Sequence, residues 1–251
     1  MNTALHRTKR TLIGMLTPSS NTVLEPITTR MLTALPHTSA HFSRFRVTQI
    51  ALSEKALAQF ATEEILRAAE LLGEAHCQVI GWSGTSASWL GFETDEILCR
   101  QIEAVSGAKG CTSVLALNEL LAANGARRIG LVTPYTPDVQ TRIIANYASI
   151  GVDVVSDVHW NLDDNFSFAE VDEPTIAAGV RTVAQARPDA IVVLCTNLRG
   201  APLAAGLEAE LGIPVYDSVA TAVWKALVLT GQDPSAITGW GSLFATPGAH
   251  A

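Results

Sequence analysis

The chain has little charge, and it lacks any long apolar run. Only 16% of its 251 residues are charged and 48% are hydrophobic, yet no uninterrupted apolar segment reaches the roughly 18 residues of a membrane-spanning helix. The basic residues 1–10 lead into a short apolar run over 11–16 and a Thr-Pro turn, without the apolar core and small-residue cleavage site of a signal peptide. We therefore expect a soluble, cytoplasmic protein with no membrane partner.

Beyond its basic first ten residues, the sequence also lacks any cluster of basic residues. Its formal net charge is −7, whereas nucleic-acid binding depends on positive charge that neutralises phosphates. We therefore expect no nucleic-acid partner and predict that the protein acts on a small molecule. The length allows one large domain or two domains of about 100 to 130 residues.

Cysteine is scarce, and neither the cysteines nor the histidines have metal-binding spacing. The four cysteines are Cys77, Cys99, Cys111 and Cys195, and no two of them form a CxxC pair. His37 and His41 are four residues apart, but Pro36 and the polar residues that follow predict a loop there. We therefore predict no disulfide, no zinc site and no other metal site.

Hydrophobic periodicity predicts alternating strands and helices along most of the chain. The predicted strands cover 11–16, 42–50, 78–82, 128–133, 152–156 and 191–194, and the predicted helices cover 22–35, 53–75, 93–105, 114–123, 137–149, 174–186, 203–211 and 218–229. Residues 110–113 are predicted to form a turn, and residues 159–170 an irregular segment that is a candidate lid. This alternation predicts an α/β fold with parallel sheets and right-handed crossovers.

Three motifs recur in the same order in the second part of the chain. Thr133-Pro134 follows Thr17-Pro18 by 116 residues, Cys195-Thr196-Asn197 follows Gly84-Thr85-Ser86 by 111, and Asp217-Ser218 follows Thr112-Ser113 by 105. Such ordered echoes indicate a duplication followed by small deletions. We therefore predict two pseudosymmetric Rossmann-like halves, 1–116 plus 217–251 and 117–216, with the active site in the cleft between them.

Four turns follow predicted strands and should meet in that cleft, because open α/β sheets bind ligands at the carboxyl ends of their strands. The turns are 17–21, 84–86, 133–135 and 195–197, and they contain hydroxyls, an amide, a phenol and a thiol but no lysine, arginine, histidine or carboxylate. Uncharged donors of this kind suit a carboxylate or an enolate oxygen. The thiol of Cys195 is then the natural proton carrier.

Residues in all four turns resemble one group of enzymes. The matching residues are Ile13-Gly14, Pro18-Ser19-Ser20-Asn21-Thr22, Glu25-Pro26, Gly84-Thr85-Ser86, Pro134-Tyr135, Asp138-Val139 and Cys195-Thr196-Asn197. Over residues 11–244 the chain is similar to the aspartate/glutamate racemase superfamily, and within it to the maleate cis-trans isomerase and arylmalonate decarboxylase branches. The resemblance implies a cofactor-independent enzyme with two pseudosymmetric α/β halves.

The two halves differ at one position that matters for the reaction. Racemases and maleate isomerases of this superfamily carry a cysteine in each half, whereas this chain has Gly84 at the first position and Cys195 at the second. That pattern resembles arylmalonate decarboxylase, which implies a dioxyanion hole formed by Gly84, Thr85, Ser86 and Tyr135, and protonation of the enediolate by Cys195. A cysteine introduced at position 84 is then expected to add racemase activity.

The resulting prediction is a decarboxylase of a substituted malonate-type dicarboxylate, with no cofactor. The catalytic residue is Cys195, and the predicted substrate-binding residues are Gly84, Thr85, Ser86, Tyr135, Thr196, Asn197, Ser19 and Asn21. Several of these have a structural alternative, since hydroxyl and amide side chains also cap helices and a tyrosine also packs at an interface.

Two other functions remain open at this point. The polar Ser19-Ser20-Asn21 loop resembles that of the isomerases, so the alternative is a maleate cis-trans isomerase or a racemase in which Ser83 or Ser86 partners Cys195. A non-catalytic protein that binds a carboxylate is the third possibility. The sequence does not indicate an oligomeric state.

Overall fold

The structure, a computed structural model, describes residues 10–53 and 62–248, and within them two four-stranded parallel sheets share one strand order. The first sheet contains β1 (Thr11–Pro18), β2 (Thr38–Phe45), β3 (Val79–Trp82) and β4 (Lys109–Thr112) in the order β2-β1-β3-β4. The second contains β5 (Arg128–Thr133), β6 (Asp153–His159), β7 (Ala190–Val193) and β8 (Val215–Asp217) in the order β6-β5-β7-β8. The predicted α/β fold with two repeated halves is confirmed.

Helices connect the strands and cover the sheets. They are α1 (Leu24–Met31), α2 (Thr62–Glu74), α3 (Ala87–Leu90), α4 (Phe92–Ser106), α5 (Ser113–Ala123), α6 (Pro137–Ser149), α7 (Glu173–Ala184), α8 (Ala204–Leu211) and α9 (Ser218–Leu229). The predicted helix over 53–75 corresponds to α2, and its residues 54–61 lie outside the described part of the chain. None of the helices in the described ranges is long and apolar enough to cross a bilayer.

The central strands are continuous apolar runs because both faces of each sheet are covered. All four residues of β7 are buried, as are all four residues of β3. Strands of a parallel sheet packed between helices have this pattern, in contrast to the alternating pattern of a sheet with one wet face. The loops that follow these strands are therefore held by a rigid, dry scaffold.

The helices that follow the last strand of each sheet begin with equivalent side-chain caps. The Thr112 hydroxyl accepts a hydrogen bond from the Leu115 N–H (3.1 Å) at the start of α5. The Asp217 carboxylate accepts one from the Val219 N–H (2.8 Å) at the start of α9. The sequence echo between these two positions therefore reflects a shared way of starting a helix.

The two capped helices pack against each other across the molecule. Helix α9 contacts α5, and the Thr221 hydroxyl donates to the Ser113 carbonyl oxygen (2.9 Å). Helix α9 also contacts β3 and β4 of the first sheet. The division of the chain into 1–116 plus 217–251 and 117–216 stays a prediction.

The second strand was wrongly predicted at 42–50. Strand β2 pairs with β1 from Thr11 beside Thr38 to Pro18 beside Phe45, and the ladder ends there because β1 itself ends at Pro18. The next residues leave the sheet and pair with another loop, in a bridge between Gln49 and Asp164. The loop predicted around 37–41 is also wrong, because all but its first residue belong to β2.

Two short strands were not recognised from the sequence. Residues 109–112 form β4, not the predicted turn, and residues 215–217 form β8. They contain four and three residues and, unlike the equally short β3 and β7, neither is a continuous apolar run that marks a buried strand. Both become strands because a neighbouring central strand supplies the hydrogen-bonding partners.

Candidate active site

A cavity of about 20 Å³ lies where the carboxyl ends of the two sheets face each other. Six of the nine predicted site residues line it, namely Gly84, Thr85, Ser86, Tyr135, Cys195 and Thr196. The other lining residues are Pro18, Val47, Ile50, Trp82, Trp89 and Asn165. Residues from both halves therefore share one small space, which is the location expected for the site.

Cys195 follows strand β7 and is fully enclosed. Its sulfur accepts hydrogen bonds from the Asn197 N–H (3.4 Å) and from the Tyr135 hydroxyl. Burial raises the pKa of the Cys195 thiol to about 12, and the nearby Asp217 carboxylate adds to the rise, although the two hydrogen bonds oppose it. The thiol is therefore protonated at neutral pH and suited to donating a proton.

Tyr135 joins the two halves at the cavity. Its hydroxyl shares a 2.6 Å hydrogen bond with the hydroxyl of Thr85, and its ring packs edge-on against Trp89 and Phe168. Burial, with the charge of a Cys195 thiolate as a second cause, raises the pKa of Tyr135 well above its ordinary value. The phenol consequently keeps its proton and remains a hydrogen-bond donor.

Ser86 stands at the start of helix α3 without capping it. Its hydroxyl accepts a hydrogen bond from the Trp82 indole N–H (3.3 Å) and makes no bond to the backbone of the helix. Thr85 likewise uses its hydroxyl on Tyr135, while its carbonyl oxygen accepts from the Ser88 hydroxyl (2.6 Å). Both residues line the cavity, and neither hydroxyl is committed to helix capping.

Gly84 leaves room for an aromatic ring. A Cβ atom at this position would lie 2.1 Å from Cζ2 of Trp82, a separation at which something must shift. The ring cannot move freely because it is buried and packs against Phe45 with centroids 5.1 Å apart. The indole therefore occupies the space that a side chain at position 84 would need, and it lines the same cavity as Cys195.

A chain of hydrogen bonds links the turn after β7 to the first half. The Asn21 amide donates to the Thr196 hydroxyl (3.1 Å), which in turn donates to the Ser83 carbonyl oxygen (3.2 Å). All three residues are buried. Because each bond crosses between the halves, Thr196 is fixed only when the halves are docked.

Three predicted site residues lie behind the cavity wall. The Asn21 side-chain oxygen caps α1 by accepting the Leu24 N–H (3.0 Å), and the Asn197 side-chain oxygen accepts the Thr22 N–H (3.0 Å). The Ser19 hydroxyl bonds to the backbone of the loop after β2. The structure therefore brings these residues next to the lining residues and does not bring them into the cavity lining.

Asn165 is a lining residue that the sequence interpretation missed. It belongs to the irregular segment predicted over 159–170, and its amide donates to the Ser20 hydroxyl (2.7 Å). Its carbonyl oxygen accepts from the Asn197 amide (2.5 Å), and its N–H donates to the Thr48 carbonyl oxygen (2.9 Å). The segment thus crosses from the second half onto the first and covers the cavity, and its role as a lid stays a prediction.

Among the residues that the structure describes, those lining the cavity include no aspartate, glutamate, lysine, arginine or histidine. In the described ranges, no group of three or more histidine, cysteine, aspartate or glutamate side chains is arranged to hold a metal ion. The chemical groups present are hydroxyls, one thiol, one amide and indole rings. Such a site can bind negative oxygen through neutral donors and can supply a proton.

Comparison with known sequences gives a consistent set of relatives. Residues 16–244 match the model of the arylmalonate decarboxylase family. The chain is 26% identical to the maleate isomerase of Geobacillus stearothermophilus over 226 residues, which cover 86% of this chain and 90% of that enzyme. It is 28% identical to the arylmalonate decarboxylase of Bordetella bronchiseptica over 185 residues, which cover 72% of this chain and 77% of that enzyme.

A solved structure shows the same fold. It is a cysteine-to-serine variant of the maleate cis-trans isomerase of Nocardia farcinica with a covalently bound succinylcysteine intermediate. The TM-score is 0.84 at 24% identity, with 94% of this chain and 98% of that chain covered. The agreement extends over nearly the whole of both chains and therefore includes both halves.

Proposed function

The chain belongs to the arylmalonate decarboxylase family, and on that premise we propose that it is a cofactor-independent decarboxylase of a substituted malonate. The family includes both decarboxylases and isomerases among the relatives found, so the choice between the two reactions must come from the site itself. The main support for decarboxylation is that position 84 has no cysteine and that the Trp82 ring fills the space a side chain there would need.

The neutral donors of the first half and Tyr135 bind the carboxylate that the product retains. When the other carboxylate leaves as carbon dioxide, the electron pair of the broken carbon–carbon bond passes into the retained carboxylate and forms an enediolate. The hydroxyls of Thr85, Ser86 and Tyr135 then face more negative oxygen than in the substrate, so their hydrogen bonds strengthen in the transition state.

Cys195 completes the reaction by donating its proton. The enediolate carbon is a far stronger base than a thiolate, so transfer from the sulfur to that carbon is favourable even though burial raises the pKa of the thiol to about 12. The product is a monocarboxylate, and the thiolate regains a proton from solvent. The Asn197 N–H, which donates to the sulfur, stabilises the thiolate in between.

The opposite face of the site offers no second acid or base at position 84. A two-base racemase needs a proton carrier on each side of the reacting carbon, and here the indole of Trp82 occupies the space beside Gly84. Proton delivery from the Cys195 side alone supports decarboxylation with protonation on one face.

Ser19, Asn21 and Asn197 act as positioning residues in this proposal. Asn21 bonds to Thr196, and Asn197 ties the turn that carries Cys195 to the Thr22 backbone. Ser19 holds the backbone of Val47, which lines the cavity. Their polarity therefore serves the geometry of the cavity wall, and the substrate does not need to touch them.

The isomerase alternative has its own support. The curated maleate isomerases match more of the chain than the decarboxylase does, and the Nocardia farcinica structure contains a cysteine bonded to a succinyl group. Covalent addition requires a thiolate as the nucleophile. The raised pKa of Cys195 favours the proton-donor role over that one.

One assay separates the two reactions. Purified protein is incubated with methylmalonate, phenylmalonate or maleate, and released carbon dioxide and product mass are followed together. We expect carbon dioxide from a malonate and, in deuterated water, a product with a single deuterium at the α-carbon. Conversion of maleate to a product of unchanged mass, with no malonate consumed, contradicts the decarboxylase proposal and supports the isomerase.

A further inference from the structure

Two neighbouring cavities share the indole ring of Trp82 in their linings. Beside the small catalytic cavity lies a second cavity of about 250 Å³. The residues lining the second cavity are Thr62, Ile65, Trp82, Ser86, Leu90, Thr94, Asp95, Ile97, Leu98 and Gln101. Trp82 and Ser86 are the residues common to both linings.

The catalytic cavity is too small for its proposed substrate. A volume of about 20 Å³ accommodates roughly one water molecule, and any dicarboxylate is several times larger. Binding therefore requires the cavity to widen at a wall other than the Trp82 ring, which is held in place. Of the two residues shared by both linings, Ser86 is small, so the bulky side chain between the two cavities is the indole of Trp82.

We propose that Trp82 determines the size of the α-substituent that the site accepts. This inference rests on the proposed decarboxylase function. In the protein as it stands, the ring leaves room for a compact group such as a methyl. With the ring removed, the catalytic cavity joins the larger one, whose apolar walls at Ile65, Leu90 and Leu98 suit an aryl group.

The contacts of Trp82 explain why it forms a defined wall. Its ring packs against Phe45 with centroids 5.1 Å apart, and its N–H donates to the Ser86 hydroxyl at 3.3 Å. A ring held at both its face and its edge sets a sharp limit on the size of the group that fits in the cavity beside it. The hydrogen bond also fixes the position of the ring relative to Ser86, one of the proposed carboxylate donors.

The test compares two substrates in four proteins. Values of kcat/KM for methylmalonate and phenylmalonate are measured for the wild type, Trp82→Ala, Trp82→Phe and Trp224→Ala. Trp224 is a buried tryptophan that lines neither cavity, so its replacement controls for the general effect of losing a buried ring. Thermal melting curves establish that each variant is folded.

We expect the phenylmalonate-to-methylmalonate ratio to rise by at least about tenfold in Trp82→Ala, in line with discrimination by apolar pockets. Trp82→Phe should give a smaller rise, and it stands in if the alanine variant does not fold. Trp224→Ala should leave the ratio within about twofold of the wild type. An unchanged ratio in a folded Trp82 variant, or an equal rise in Trp224→Ala, overturns the inference.

A binding measurement keeps the two proposals separate. Calorimetric titration with succinate and phenylsuccinate reports the size limit without any turnover. If no malonate loses carbon dioxide in the wild type, the decarboxylase proposal fails. The proposed role of Trp82 in the size limit is then supported if the ratio of the affinity for phenylsuccinate to that for succinate is about tenfold higher in Trp82→Ala than in the wild type. An unchanged ratio contradicts it.

Discussion

The hydroxyl of Tyr135 lies 2.6 Å from the hydroxyl of Thr85, and the bond joins the turn after β5 in one half to the turn after β3 in the other. Tyr135 is held in place by the rings of Trp89 and Phe168. The two donors therefore meet at a fixed point beside Cys195, so little reorganisation is needed when negative charge develops on a bound carboxylate.

Replacing either donor should slow turnover without unfolding the protein. We expect Tyr135→Phe and Thr85→Val each to lower kcat by about 10² to 10³. Because the two hydroxyls bond to each other, the double variant should lose less than the product of the single effects. Steady-state kinetics on the three variants tests this. If the double variant loses as much activity as the two single losses multiplied together, the two hydroxyls act independently and the expectation is wrong.

Replacing the thiol should remove the proton donor while preserving the packing. Cys195→Ser changes one buried atom, and we expect turnover to fall by about 10² to 10⁴. Product formation and released carbon dioxide measure the effect. The matched control is Cys77→Ser, a buried cysteine outside the cavity lining. Equal activity of both variants removes the thiol from the mechanism.

The raised pKa of Cys195 should make its thiol slow to alkylate. At pH 8 an ordinary cysteine is partly thiolate, whereas a thiol with a pKa of about 12 is almost entirely protonated. We therefore expect iodoacetamide to react with Cys195 on the order of 10³ times more slowly than with free cysteine, the rate rising with pH. Mass spectrometry of peptides measures it. Alkylation as fast as that of free cysteine would falsify the proton-donor assignment.

The racemase activity expected from Gly84→Cys faces a steric condition. A side chain at position 84 meets the Trp82 ring at 2.1 Å, so the single variant should lose about 1 to 3 kcal/mol of stability through overpacking. We expect the double variant Trp82→Ala/Gly84→Cys to show the α-proton exchange in deuterated water that the single variant lacks. Exchange in the single variant with an unchanged melting temperature contradicts this expectation.

A buried carboxyl outside the catalytic cavity should make stability depend on pH. Asp95 on α4 is hydrogen-bonded to Thr112, and burial raises its pKa to about 7. Between the unfolded pKa near 4 and the folded pKa near 7 the folded state holds the extra proton, so stability falls as pH rises.

Asp95→Asn should remove part of that dependence. From pH 5 to pH 8 the contribution of Asp95 falls by about 2 to 3 kcal/mol, so the variant should lose that much less over this interval than the wild type. Urea unfolding at both pH values measures it. Asp153→Asn, at an exposed position, is the control and should behave as the wild type does. Asp217, whose pKa burial also raises to about 7, retains its own contribution in both variants.

Much of the architecture could be predicted because the halves repeat. The offsets between echoed motifs anticipated two parallel sheets, and the shared strand order confirms them. The turn residues at 84–86, 135 and 195–196 were found from strand-end position and chemistry, and they line one cavity. Short strands such as β4 and β8 were missed, because their residues become extended only through the ladder of a neighbouring strand.

The parts of the site that could not be predicted depend on contacts between distant segments. Trp82 is an apolar residue within a strand, and nothing local indicates that its ring covers Gly84. Asn165 lies in an irregular segment, and it reaches the cavity only because that segment pairs with residues after β2. The sequence locates residues on elements, whereas side-chain neighbours across the cleft follow from packing.

The shared strand order has a genetic consequence. In a symmetric homodimer of one such sheet, every substitution appears on both sides of the axis, so a thiol could not be exchanged for a glycine on one side alone. Joining both copies in a single polypeptide removes that constraint. Position 84 and position 195 can then mutate independently, which is how a pocket built by duplication comes to have an acid on one wall and an aromatic ring on the other.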